Sequence, residues 1–312
     1  MYISYSGEPA RRLHVVALAL ASVLLTGCQA SGRPVDATEQ SAGSSNRQDA
    51  PLAGLLPDKY QRTGVIRVGI DSVPPLVYPE GGRTVGVEVD LTAALGKLLG
   101  VTFEFEHADF SDLIGGLQSQ RFDLAMSGIH DTRQRRQGMD GTGADTGPGV
   151  DFVHYFTAGT SVVVRKGRGQ SIASPADVCG RKVAVQRGTT VEEAALKQGR
   201  TCKAVGKPDI VMNRYETHKE VLESLEQGRS DAAMMDYPSA SYTANQAPGS
   251  GAFEVAGRQM DPKPYGIALP KGADRLREAV RSALKSVIDS GEYTKILKKW
   301  RVADGALRTP GG

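Results

Sequence analysis

The chain has 312 residues, of which 40% are hydrophobic and 23% charged, a balance that suits a soluble globular protein with room for two core-bearing lobes. Its formal net charge of +3 is too small to point to a nucleic-acid partner. The 37 glycines and 16 prolines imply many turns.

Arg11 and Arg12 precede an apolar run from Leu13 to Leu25, the length of a signal-peptide core and too short to span a bilayer comfortably. The run closes on Leu25-Thr26-Gly27-Cys28, which looks like a bacterial lipobox: small residues before the cysteine give a peptidase access, and the thiol carries the lipid. This reading makes 1–27 a lipoprotein signal peptide and anchors the chain to a membrane through Cys28. An ordinary secretory signal followed by a chance cysteine is the alternative. Residues 28–57 are rich in Gln, Ser, Gly, Asp and Asn and lack aliphatic periodicity, so they are expected to form a flexible tether. Cys179 and Cys202 then remain as an even pair in an oxidising compartment, which predicts a disulfide; two free buried thiols are the alternative. No second cysteine pair or histidine cluster accompanies them, so no metal is expected.

From Val65 the pattern alternates between strands and helices. Val65–Ile70 has apolar residues at period two and reads as a strand. Asp90–Leu99 sets Leu91, Leu95, Leu98 and Leu99 on one helical stripe, stopped by Gly100. Val101–Glu106 is a strand, Ser111–Gln118 a short helix and Phe122–Met126 a third strand. Residues 138–149 are rich in Gly, Asp and Thr but lack the G-x-G-x-x-G spacing and a preceding strand, so they read as a surface loop. Strands are predicted over Thr160–Arg165, Lys182–Gln186, Asp231–Met235 and Tyr265–Leu269. Helices are predicted from Val191, over Thr217–Glu226, over Asp274–Ser290 and over Tyr293–Trp300. The alternation implies an α/β class with mostly parallel sheets, whose ligands gather at the carboxyl ends of strands.

An ordered series of short segments carries the functional reading. Gly64-Val65-Ile66-Arg67-Val68-Gly69-Ile70-Asp71 and Pro74-Pro75 are followed by Gly86-Val87-Glu88-Val89-Asp90-Leu91 and by Phe122-Asp123-Leu124-Ala125-Met126-Ser127-Gly128. Thr132-Arg133-Gln134-Arg135, Gln186-Arg187-Gly188-Thr189-Thr190, Gly228-Arg229-Ser230-Asp231-Ala232 and Lys299-Trp300 complete it. The series resembles the family 3 extracytoplasmic solute-binding proteins from about residue 58 onward. The resemblance implies a two-lobed, type II periplasmic-binding-protein fold with two mostly parallel sheets and a ligand cleft between the lobes. Lobe 1 is discontinuous, 58–159 plus 258–312, and lobe 2 is 160–257. It further implies a monomer that binds a small solute, an amino acid in that family's terms, for an ABC transporter permease, without cofactor or turnover.

The resemblance also assigns the site. Arg135 is expected to meet the ligand carboxylate, since a planar guanidinium gives it two parallel hydrogen bonds; a solvated basic face of Arg133, Arg135 and Arg136 is the alternative. Ser127 and Gly128 are placed at the ligand by a strand end, and Thr189 and Thr190 by the start of a helix, where plain N-capping by Thr190 is the other reading. Asp236 matches the acid that receives the ligand's amino group, against an ordinary turn aspartate. His130 departs from the family, which has a small hydroxyl residue there, and either contacts the ligand or fills space. Asp71 either pairs with a cationic ligand side chain or is a structural strand-end residue. A dehydratase-like enzyme on the same fold, or a ligand-sensing module for a signalling partner, are the rival functions. An enzyme would need a general acid, and neither His130 nor Asp71 shows a partner in the sequence.

Overall fold

The computed structural model of the chain describes residues 49–139, 145, 147–169, 172 and 175–312. The expected signal peptide, Cys28, most of the tether and the centre of the 138–149 loop lie outside the described residues. The end of the expected tether is ordered: Ala53–Leu55 form a 3₁₀ turn, and Leu56 is fully buried in the core with Leu52 packed beside it. These two leucines flank the turn and give this stretch apolar area to bury against the core.

The first half builds around strand β1 (Val65–Ile70) after a short helix α1 (Asp58–Thr63). A small hairpin, β2 (Tyr78–Glu80) and β3 (Arg83–Val85), leads into helix α2 (Val87–Leu99). That helix begins three residues before its predicted start, and Gly100 ends it in the left-handed conformation that favours glycine. Strand β4 (Thr102–His107), helix α3 (Leu113–Gln118), the two-residue strand β5 (Leu124–Ala125) and helix α4 (Arg133–Gln137) follow. Then come β6 (Val150–Arg165), β7 (Lys182–Gln186), helix α5 (Thr190–Ala204), β8 (Val211–Tyr215), helix α6 (His218–Glu226) and β9 (Ala232–Asp236). Helix α7 (Tyr237–Asn245), β10 (Phe253–Pro270), α8 (Asp274–Asp289) and α9 (Glu292–Lys299) complete the chain.

The large sheet runs β4-β1-β5-β10-β6-β9-β7-β8. Its two flanks, β4-β1-β5 and β9-β7-β8, are parallel, and the antiparallel β10-β6 pair joins them. β6 and β10 are 16 and 18 residues long, far longer than the predicted Thr160–Arg165 and Tyr265–Leu269. Register shifts near Met260 and Tyr265 interrupt their pairing, so no unbroken alternation marks them in the sequence. Burial divides along the same ribbon. Two hydrophobic clusters draw on residues up to Ala158 and from Tyr265 onward, and two others on residues between Val162 and Ala256.

Cys179 and Cys202 form a disulfide with Cα atoms 5.6 Å apart, which decides against two free thiols and ties the approach to β7 to the last turn of α5. No described helix is long and apolar enough to cross a membrane.

Candidate functional site

The carboxyl ends of β1, β5, β7 and β9 converge on a cavity of about 40 Å³. Six of the eight expected ligand residues line it: Ser127, Gly128, His130, Thr189, Thr190 and Asp236. Arg135 instead lines a neighbouring cavity of about 330 Å³ with Phe110, Gly188 and Glu193, while Asp71 opens on a surface pocket beside His107 and Asp109.

The floor follows from the way β5 ends. The Ser127 hydroxyl accepts from the Asp71 amide at 2.8 Å and donates to the Asp71 carbonyl at 3.1 Å, so it joins two strand ends. Gly128 has φ +63°, and a Cβ there would lie 2.7 Å from Leu76 and 3.0 Å from the Tyr265 ring; glycine is required on both counts. Its N–H, expected to face a ligand, donates to Glu88 Oε1 at 2.8 Å.

His130 has defined polar partners. Its Nε2 lies 3.0 Å from the Ala158 carbonyl, which can only accept, so the neutral ring carries its proton there. Nδ1 is then free to accept from the Thr190 hydroxyl at 2.9 Å, and Asp236 Oδ2 lies 3.6 Å from the same nitrogen. The Tyr265 hydroxyl donates to Asp236 Oδ2 at 2.8 Å, and its ring meets His130 edge-on. The imidazole therefore links β6 to the start of α5, which space-filling alone would not require.

Thr189 is the N-cap of α5, not Thr190. Thr189 has extended backbone and accepts the Glu192 amide at 3.1 Å, whereas Thr190 already stands in the helix with its hydroxyl turned to His130. Gln186, which the sequence reading did not single out, spans from Asp71 Oδ2 at 2.6 Å to the Glu216 carbonyl at 2.9 Å. Burial pushes the Asp71 carboxyl up, against hydrogen bonds from Gln186 and the Ser72 amide. Both Asp71 oxygens are thus engaged at this strand end, Oδ1 by the Ser72 amide and Oδ2 by Gln186.

Arg135 is oriented by α4, whose N-cap Thr132 accepts the Arg135 amide. Its guanidinium donates to the carbonyls of His130 at 2.7 Å and Gly188 at 3.2 Å, and lies over the Phe110 ring. Desolvation pulls its pKa down, opposed by Glu193, Asp236 and Asp131. It is half-buried, and a guanidinium stays charged in proteins. It is therefore distinct from a freely solvated basic face: Arg136 pairs with Asp131, and Arg133 is exposed.

Asp236 occupies the N-cap of α7, where an aspartate ordinarily accepts a helix amide, yet it makes no such bond. Oδ2 takes Tyr265, while Oδ1 is buried with no partner among the described residues. Two more such atoms line the same cavity, His218 Nε2 and Ser239 Oγ. Burial pushes the His218 pKa down to about 4, so the ring is neutral at ordinary pH. Its sequence signal, a histidine inside a T-x-x-E helix start, speaks for capping and not for a ligand.

The sequence pattern of the bacterial extracellular solute-binding proteins, family 3, matches residues 66–303. The chain belongs to this family. Among its relatives, the arginine-binding protein ArgT of Corynebacterium glutamicum is 30% identical over 82% of this chain and 80% of its own length. The arginine-binding extracellular protein ArtP of Bacillus subtilis is 30% identical over 72% of this chain and 81% of its own. A solved ancestral arginine-binding protein bound to arginine superposes with a TM-score of 0.66 at 34% identity, covering 76% of this chain and 98% of that one. This family 3 solute-binding protein thus has the α/β, two-lobed periplasmic-binding fold of its structural neighbours.

Proposed function

We propose that this family 3 protein is the substrate-binding component of an ABC importer, and that it captures an amino acid as a zwitterion in the cavity beneath Asp236. The lobes meet along the β6-β10 ribbon, with 58–159 plus 258–312 on one side and 160–257 on the other. The observation that carries the reading is Asp236 Oδ1, a buried carboxylate oxygen that forgoes its helix cap and faces the cavity without a partner. Such an atom is costly to bury unless a ligand cation satisfies it. Arg135, across the site, exchanges its two carbonyl acceptors for the ligand carboxylate. The names of the relatives, which bind arginine, cystine, histidine and glutamine, support an amino acid. The protein acts as a monomer, held at the extracytoplasmic face of the cell membrane by lipid on Cys28, and delivers its ligand to a permease.

Calorimetry against a panel of L-amino acids tests the reading. Arg135→Ala is expected to lower affinity by about 2–5 kcal/mol, tens to thousands-fold, and Arg135→Lys to recover part of it. Asp236→Asn is expected to weaken the amino acid and to spare its des-amino analogue. Wild-type affinity in Arg135→Ala would remove that residue from the site.

One solved neighbour is an ancestral amino-acid-binding protein described as a precursor of cyclohexadienyl dehydratase, 32% identical with a TM-score of 0.67. That neighbour and the His130–Asp236 proximity favour an enzyme as the second reading. Turnover of a prephenate-like acid would support it; tight binding without turnover supports the importer.

A further inference from the structure

Three residues that line the cavity each hold a buried polar atom with no partner among the described residues: Asp236 Oδ1, His218 Nε2 and Ser239 Oγ. They come from adjoining elements. Asp236 ends β9 at the N-cap position of α7, Ser239 lies in the first turn of α7, and His218 opens α6. Asp236 and Ser239 are the N-cap and third helical residues of α7, three apart in the chain, a spacing that sets neighbours on one side of a helix start. His218 and Ser239 are 5% and 1% exposed, too deep for solvent to satisfy them cheaply.

We infer that His218 and Ser239 complete, with Asp236, a three-point acceptor for the ligand's ammonium group. An ammonium has three N–H donors and no acceptor, and these residues offer three acceptors: a carboxylate oxygen, a hydroxyl oxygen and an imidazole nitrogen. With the His218 proton on Nδ1, Nε2 presents a lone pair. The depressed basicity of the ring keeps it neutral, so it accepts from the ammonium without repelling it. The carboxylate supplies the charge, and the two neutral groups supply direction. A ligand side chain is then left to Val73, Phe110 and the lobe-1 wall.

This assignment rests on the amino-acid reading, and the experiment separates the two. Wild type, His218→Leu, His218→Gln and Ser239→Ala are titrated with the tightest-binding member of a panel of L-amino acids and with that compound's des-amino analogue. His218→Leu is expected to weaken the amino acid about tenfold and to leave the analogue within about twofold, with His218→Gln between Leu and wild type because its amide oxygen can still accept. Ser239→Ala should show the same selective loss, to a smaller extent. The ratio of the two affinities is the readout, since a merely structural role would weaken both ligands together. If His218→Leu and His218→Gln weaken both equally, change neither, or re-rank side chains while keeping the ratio, the assignment of His218 falls and the amino-acid reading stands. If the wild type binds no amino acid of the panel, that reading falls and takes this one with it.

Discussion

Glu88 offers a test of how burial sets the protein's response to pH. It is the second residue of α2 and fully buried; Oε1 accepts from the Gly128 amide and the Tyr155 hydroxyl, while Oε2 has no partner among the described residues. Desolvation outweighs those hydrogen bonds and pushes its pKa from 4.5 up to about 7. A carboxyl raised in the folded state keeps its proton where the unfolded chain has lost it. The folded form therefore binds more protons between about pH 4.5 and 7, and stability must fall as pH rises through that window and level off above it. The rise from 4.5 to about 7 is worth about 3 kcal/mol. Glu88→Gln keeps the shape and the Oε1 acceptor while removing the titration. Urea unfolding of both proteins at several values between pH 4.5 and 8 isolates the effect, because Asp123 and Asp131, held low by their cationic partners, contribute equally to each. The variant should gain on the wild type by about 3 kcal/mol across the window. Parallel stability curves would refute the argument and mean that Glu88 is ionised in the fold at all these pH values.

Reducing the Cys179–Cys202 bridge, which closes a sequence separation of 23, should lower stability by about 3 kcal/mol by the loop-entropy estimate; an unchanged urea midpoint under reducing conditions would contradict it. Expressed in a bacterium with the lipoprotein pathway, the wild type should partition into detergent and Cys28→Ser should not. Equal partitioning would dismiss the lipid anchor.

The elements read best from the sequence were those with one buried face and a clean stop, such as α8, with its stripe of Leu276, Val280, Leu284 and Val287, and α2 ending at Gly100. The elements missed lack that contrast. β8 is an edge strand with Val211 largely exposed, and α7, Tyr-Pro-Ser-Ala-Ser-Tyr-Thr-Ala-Asn, has no apolar stripe to announce it. Among the residues that line the cavity, Asp236 and Thr190 were expected there from the family resemblance. Gln186, His218 and Tyr265 were not, because their roles depend on partners dozens of residues away, such as Asp71 for Gln186 and Asp236 for Tyr265.

Those distant partners also explain how recognition and closure can share atoms. Thr190 to His130, Gln186 to Asp71, Tyr265 to Asp236 and Arg135 to Gly188 each join residues of 160–257 to residues outside that range. A neutral hydrogen bond is worth about 0.5–1.5 kcal/mol net, and one to a charged group about 1.5–3 kcal/mol. Three of these four links involve a charged group, so together they are worth roughly 5–10 kcal/mol, and a ligand that takes over even one of them changes how tightly the two ranges are held. On the proposed reading the ligand must offer Arg135 more than the two carbonyls do, and a carboxylate does so by bringing charge and a bidentate fit to the same guanidinium. It must also satisfy Asp236 Oδ1, which no cross-link reaches. A molecule with a carboxylate alone meets the first demand and leaves the second unmet. On the proposed reading, only a ligand carrying both charges gains from both halves at once, which makes closure selective for a zwitterion.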